Sequence, residues 1–176
     1  MANPQPIGFT GFPYGLGAPG VPQVAQTNPL ALPQTTTKIL WTITGGPIVV
    51  WAVFGVVTTL IGAVANATKL TATPTTGGAA TDICGTVDIN AAAAGDIMIP
   101  ITSFATAMSL NTAGVIVNGP SATAQATGFI MTPGTILVNC AGSDGGTGRV
   151  QWYLWYIPMS VGFKQGGGVV VTSPLS

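Results

Sequence analysis

The chain carries very little charge. Only 5% of its 176 residues are charged and its formal net charge is zero, whereas about a quarter of the residues are charged in a typical globular domain. A surface so poor in charge favours a protein that covers itself with partners, so we expect an obligate oligomer or an assembly subunit. With four basic residues in the whole chain, we expect no binding to nucleic-acid phosphates.

The sequence also lacks histidine and glutamate. Their absence removes the commonest general base, the commonest metal ligand and one of the two carboxylate types. We therefore expect no enzyme activity, no metal site and no cofactor. The two cysteines, Cys84 and Cys140, are too few for a disulfide framework. A packing role is favoured for each, and a single bridge between them stays open.

Several motifs match a functional pattern only formally. Residues 15–20 fit the glycine spacing of a dinucleotide-binding turn, but no strand precedes them. Asp82 and Asp88 are about 20 Å apart in an extended strand, too far for a carboxylate pair. Asp144 lies in GSDGGTG, which is typical of a tight turn and lacks the repeated oxygen ligands of a calcium loop. The first residues, MANPQPIGF, have neither a basic nor an apolar region, so no secretory signal peptide is expected to support the sequon at residues 66–68.

Residues 1–37 form a segment rich in proline and glycine. Proline at this density disfavours helix and sheet and favours extended polyproline II structure. The usual interpretation is a disordered linker, yet the segment has too many large apolar side chains for a freely solvated tail. We predict an extended N-terminal arm that lies along a neighbouring subunit. Its predicted contact residues are Ile7, Phe9, Phe12, Tyr14 and Leu16.

The longest uncharged run of the remaining chain is residues 47–65, PIVVWAVFGVVTTLIGAVA. It is long enough for a membrane helix, but ten of the seventeen residues 48–64 are β-branched, which favours strands. The flanks also lack the clustered Lys and Arg that orient a membrane span. Strict alternation puts Val50 and Phe54 on one face and Trp51 and Val53 on the other, and Gly55 is expected at a bend, a bulge or a junction between two strands. Because both faces are apolar, we expect cover from a second sheet, a subunit interface or the arm.

The rest of the chain is a series of short alternating segments separated by glycine-rich turns. This pattern predicts an all-β domain over residues 38–176, an antiparallel β-sandwich or jelly roll. Residues 104–110 are ambiguous between a strand and a helical turn. The predicted strands are residues 39–44, 48–64, 69–73, 82–90, 96–101, 113–117, 127–131, 135–140, 149–157 and 169–172.

Residues 149–157, RVQWYLWYI, concentrate the aromatic side chains. Val150, Trp152, Leu154 and Tyr156 share one face of this strand, and Gln151, Tyr153, Trp155 and Ile157 share the other. One face fits a core, and the other fits a subunit interface or a sugar-stacking site. Core or interface packing is favoured because few polar groups accompany the rings. The candidate interface or core aromatics are Trp51, Phe54, Tyr153 and Trp155.

Three segments together resemble a virion structural protein of tailed bacteriophages: residues 45–75 (GGPIVVWAVFGVVTTLIGAVANATKLTATPT), 81–98 (TDICGTVDINAAAAGDIM) and 134–160 (GTILVNCAGSDGGTGRVQWYLWYIPMS). The resemblance covers roughly residues 39–172. It implies a capsid-associated β-sandwich, most like a decoration or cement protein on the outer capsid surface. Its partners would be the major capsid protein and further copies of itself, as a dimer or a trimer. The resemblance carries no catalytic signature and assigns no functional residues.

Two alternatives from other classes stay open. A receptor-binding or carbohydrate-binding tail or fibre protein would use Tyr153 and Trp155 to stack on sugars. A small membrane protein would span the bilayer with residues 47–65, although the β-branched composition favours a protein without a membrane segment.

Overall fold

The computed structural model of the chain describes residues 22–100, 106–112, 128–159 and 169–174. These residues contain thirteen strands and no helix, and none of them therefore forms a helix fit to span a membrane. The all-β prediction is confirmed. The strands are β1 (Gln23–Gln26), β2 (Leu30–Ala31), β3 (Thr37–Thr44), β4 (Ile48–Thr59), β5 (Ala67–Pro74), β6 (Thr81–Asp82), β7 (Val87–Asp88), β8 (Ile97–Ile99), β9 (Ser109–Asn111), β10 (Phe129–Met131), β11 (Gly134–Cys140), β12 (Arg149–Pro158) and β13 (Val170–Thr172).

The strands form two antiparallel sheets consistent with a β-sandwich. In the first sheet the order is β1-β12-β4-β8-β9, with β2 pairing β12 and β10 pairing β4. In the second sheet the order is β13-β3-β11-β5-β6, with β7 pairing β5. The inward side chains meet in an apolar core in which Trp41, Trp152 and Leu154 are at most 1% exposed.

The run of residues 47–65 forms the long central strand β4 and a loop, so the helical alternative is wrong. β4 pairs with β12 along its whole length, and the register shifts twice, once near Trp51 and once near Thr58. Each shift leaves one extra residue on β4, which is the definition of a β-bulge. The bulge at Trp51 reverses the alternation, so Val50 and Val53 both face the core and Trp51 and Phe54 face outward. Strict alternation therefore assigned the faces of β4 wrongly.

Gly55 lies between the two bulges rather than at one of them. It faces the core opposite Trp152, and a Cβ atom there would lie 2.9 Å from the Trp152 ring and from Val150 Cγ1. Its φ angle is not positive, so its role is to leave space for the indole ring. The prediction that Gly55 marks a bend or a bulge is wrong, because the residue instead makes room for the Trp152 ring.

The last part of the predicted arm belongs to the first sheet. β1 pairs with β12 and forms the edge of that sheet, and β2 pairs with the start of β12. Leu30 and Leu32 are buried in the core at 3% and 4% exposure. The stretch from residue 22 onward therefore packs on its own chain.

The second sheet is organised around β11. The segment predicted as one strand over residues 82–90 is instead split into β6 and β7, which both pair with β5. Between them the chain turns inward, so both Ile83 and Cys84 are buried. The outer face of this sheet carries a row of four paired threonines, one from each of four adjacent strands: Thr172, Thr42, Thr135 and Thr73.

Candidate interaction surface

The four candidate aromatics lie together on the outer face of the first sheet. Directly opposed residues of antiparallel strands point to the same side, and the register pairs Phe54 with Tyr153 and Trp155 with Val24. Ile157 faces the same way, two residues after Trp155. We call this surface the aromatic face. It consists of Val24, Trp51, Phe54, Tyr153, Trp155 and Ile157.

At the centre of the aromatic face, Phe54 and Tyr153 form a stacked pair. Their ring centroids are 4.9 Å apart and the ring planes differ by 12°. The pair is half-buried, and a stacked pair contributes about 0.5–1.5 kcal/mol beyond its buried area. Phe54 and Tyr153 thus pack ring against ring across β4 and β12.

Two tryptophans project from the aromatic face beside this stacked pair. The bulge at Trp51 turns its side chain outward, where it is 51% exposed, and Trp155 is 52% exposed. On the neighbouring edge strand, Val24 is 59% exposed. Half-exposed tryptophans that share one side of a sheet are the kind of residue that dominates binding energy at protein interfaces.

An open groove of about 380 Å³ lies between the two tryptophans and β1. Its walls are mainly apolar and include Trp51, Trp155, Ile157, Val24 and Pro22. A second, smaller cavity of about 200 Å³ lies between β5, β6 and β10. The first groove can hold an apolar ligand but offers few groups for recognising a polar one.

Charge is distributed unequally over the two sheets. Within the strands of the first sheet, Arg149 is the only charged residue described, and it lies at the start of β12. The strands of the second sheet carry four charged residues: Lys38, Lys69, Asp82 and Asp88. One outer face of the sandwich is therefore apolar and aromatic, while the other is polar.

All four carboxylates of the chain have partners that give each a structural role. Asp82 accepts hydrogen bonds from Lys69 Nζ at 2.7 Å and Thr71 Oγ1 at 3.2 Å, and the Lys69 ammonium lowers the pKa of Asp82. Asp88 accepts from the backbone N–H of Asn66 at 2.8 Å. Asp96 accepts from the backbone N–H of Ala93 at 2.7 Å.

Asp144 organises the glycine-rich turn before β12, as the composition GSDGGTG predicted. It is 4% exposed, and its carboxylate accepts hydrogen bonds from the Gln34 side chain and from the backbone N–H groups of Gly146 and Gly148. Donors from Gln34 and from the turn itself thus satisfy a buried acid. Among the described residues, no cluster of acids and cysteines could hold a metal ion.

The cysteines and the sequon are buried. Cys84 and Cys140 are free thiols, and burial raises the pKa of Cys84 to about 11 and also raises the pKa of Cys140. Thiols with raised pKa values are poor nucleophiles at neutral pH. Asn66 is fully buried, and its Oδ1 accepts the backbone N–H of Gly142 at 3.2 Å, so the folded chain offers no accessible glycosylation site there.

The predicted arm contacts Ile7, Phe9, Phe12, Tyr14 and Leu16 lie outside the described residues. Val24 and Ile130 were not singled out from the sequence, although both are more than half exposed. Ile130 pairs with Val49 beside the aromatic face. The alternation of β1 could have revealed Val24, but the proline-rich surroundings hid that strand.

Comparison with protein-family profiles, curated proteins and solved structures gave no match to this chain.

Proposed function

We propose that this chain is a non-enzymatic structural subunit that decorates and cements a bacteriophage capsid by binding across adjacent subunits of the major capsid protein. The aromatic face carries the proposal. It presents two half-exposed tryptophans and a stacked Phe–Tyr pair on a sheet whose strands hold one described charge. Covering such a face with a partner lowers the free energy of the system, because apolar surface is removed from water.

The state of the acidic residues supports a structural role over a catalytic one. A general acid or base needs a carboxylate that reaches a substrate. Here Asp82 forms a salt bridge, and the other three acids are hydrogen-bonded to the backbone N–H groups of loops. The choice of a capsid as the partner comes from the resemblance of residues 45–75, 81–98 and 134–160 to virion structural proteins of tailed phages.

The cementing mechanism is the burial of apolar surface across subunit boundaries. Binding to the assembled shell and not to separate capsomers stabilises the shell by mass action. Because the aromatic face is uncharged, this association depends little on salt. On the virion the protein would occupy the outer capsid surface.

Immunogold electron microscopy tests the location. Antibodies against the chain are applied to particles produced by the genome that encodes it, and we expect label over the outer shell. Label restricted to the tail, or no label on purified particles, would overturn the proposal.

Capsid-binding variants test the surface. Particles lacking the chain are incubated with wild-type protein, with Trp51→Ser/Trp155→Ser, or with Ile39→Ser, which removes an exposed apolar side chain from the second sheet. We expect the double variant to lose binding and Ile39→Ser to retain it. Equal binding of all three proteins would contradict a role for the aromatic face.

Sugar binding is less consistent with the groove than protein binding. Stacking on Trp155 would suit a sugar ring, but the groove walls offer few of the polar groups that orient hydroxyls. Glycan binding that is lost in Trp155→Ala while particle binding persists would favour a receptor-binding tail or fibre protein instead.

A further inference from the structure

We propose that the groove between β1 and the two tryptophans receives the N-terminal segment of a second copy of this chain, residues 1–21, with aromatic side chains of that segment in the groove. This inference rests on the expectation that a chain so poor in charge forms an oligomer, and it names the contact that would hold the copies together. It does not depend on the capsid as a partner.

The groove fits apolar rings in size and chemistry. Its volume of about 380 Å³ is more than twice the roughly 150 Å³ of an engineered apolar cavity that binds benzene, so two aromatic rings can enter. Trp51 and Trp155 provide faces for stacking, and Ile157 adds an apolar contact. Gln23 adds a polar side chain at the rim.

The N-terminal segment has the matching chemistry. Residues 1–21 contain no charged side chain and carry Ile7, Phe9, Phe12, Tyr14 and Leu16 at short intervals. An uncharged segment and an uncharged groove can meet without leaving a buried unpaired charge, the commonest obstacle to burying a surface. Prolines in the segment reduce the conformational entropy that it loses on ordering.

The position of the segment connects it to the groove. Pro22, the first described residue, is itself part of the groove wall, so residues 1–21 begin at the groove of their own chain. Fully extended, twenty-one residues reach about 70 Å, several times the roughly 15 Å radius of gyration of a domain of this size. The segment is long enough to reach a neighbouring copy.

The sequence next to Pro22 favours exchange between copies over a return to the same groove. A residue before proline favours an extended backbone, and Val21 precedes Pro22. A return to the same groove would require the chain to reverse direction next to Pro22, and the extended backbone favoured at Val21 is unfavourable for such a reversal. Mutual exchange between two copies gives a closed, symmetric dimer in which each groove is filled.

The first experiment measures the mass of the full-length chain by sedimentation. Two variants alter the two sides of the contact: Phe9→Ser/Phe12→Ser/Tyr14→Ser in the segment, and Val24→Lys at the groove rim. Val24 is 59% exposed, so lysine there places a charge in the groove without disturbing the core. We expect each variant to raise the dissociation constant of the oligomer at least about 100-fold, the effect of losing one or more interface hot spots.

Leu60→Lys is the matched control. Leu60 is 58% exposed and follows the opposite end of β4, about 30 Å along the strand from Trp51. We expect Leu60→Lys to associate like wild type. If the segment variant or Val24→Lys also associates like wild type, the inference is overturned.

A mixing experiment separates exchange between copies from binding within one copy. The segment variant retains an intact groove, and Val24→Lys retains an intact segment. We expect the two monomeric variants to form a mixed complex that neither forms alone. If both variants are instead as monomeric as wild type and only lose thermal stability, the segment fills its own groove and the inference is wrong.

The sedimentation results and the immunogold results test the exchange and the capsid role separately. Oligomers that form through the segment while particles show no label would refute the capsid role and leave the exchange standing. Labelled particles together with variants that associate like wild type would support the capsid role and refute the exchange.

Discussion

Replacing Gly55 with alanine tests whether the packing of Trp152 fixes the position of β4 on β12. The added methyl group would lie 2.9 Å from Trp152 Cε3 and Cζ3 and from Val150 Cγ1. Real Cβ atoms do not approach other atoms so closely. Trp152 is 1% exposed and Val150 is fully buried, so neither side chain can move into solvent to relieve the contact.

The magnitude follows from two opposing effects. Overpacking a dense core costs about 1–3 kcal/mol. Alanine also reduces the conformational freedom of the unfolded chain, which stabilises the fold by about 0.4–1 kcal/mol where the native backbone conformation suits alanine. The φ angle of Gly55 is not positive, so alanine can adopt it. We expect a net loss of about 1.3 kcal/mol in the free energy of unfolding, the difference between the midpoints of these two ranges. For a chain of this length, that corresponds to a fall in Tm of about 3–5 °C.

Urea unfolding followed by circular dichroism at one fixed protein concentration measures the change, since association would otherwise shift the transition. A double-mutant cycle with Trp152→Leu assigns its cause. Because leucine lacks the ring atoms that crowd the new methyl group, Gly55→Ala should cost less in the Trp152→Leu background, with a coupling energy of about 1 kcal/mol. An unchanged or raised stability of Gly55→Ala alone would refute the assignment of Gly55 to ring packing.

Two further predictions concern the thiols and the surface ion pair. Burial and raised pKa values should make Cys84 and Cys140 react slowly with a disulfide reagent in the native chain and rapidly in urea; fast labelling of the folded chain would contradict the buried positions. Asp82→Asn should cost about 0.2–1 kcal/mol at neutral pH, because the Lys69–Asp82 pair is partly exposed. The folded-state pKa of Asp82 lies below 3.8, so the stability advantage of wild type over Asp82→Asn should disappear as the pH falls through that pKa. Urea titrations in which this stability advantage grows on acidification would contradict the pairing.

The two central strands differ in how far their sequences reveal their faces. β12 keeps strict alternation, so its inward residues, such as Trp152 and Leu154, and its outward residues, such as Tyr153 and Trp155, were predicted correctly. β4 contains bulges, and a single extra residue moves every later side chain to the opposite face. In an all-apolar run nothing in the composition marks the extra residue, so the outward position of Trp51 together with Phe54 required the structure.

The boundary of the arm shows a second limit of sequence patterns. Proline density indicated extended structure up to residue 37, but an edge strand is also extended and tolerates a flanking proline. β1 and β2 owe their place to pairing with β12, a contact across more than 120 residues for Gln26 and Tyr153. The pairing also places Val24 beside Trp155 and thereby completes the groove.

The area of the aromatic face indicates whether this face alone can hold a partner. A tryptophan buries about 150–250 Å² when fully covered, so the two half-exposed tryptophans offer roughly 200 Å² together. A stable interface needs about 800 Å² from each partner. The tryptophans supply about a quarter of that area, and Phe54, Tyr153 and Ile157 on the same face are already half-buried. An additional apolar surface must therefore join the contact if it is to last, and the uncharged segment of residues 1–21, which starts at the groove, is the part of the chain best placed to provide it.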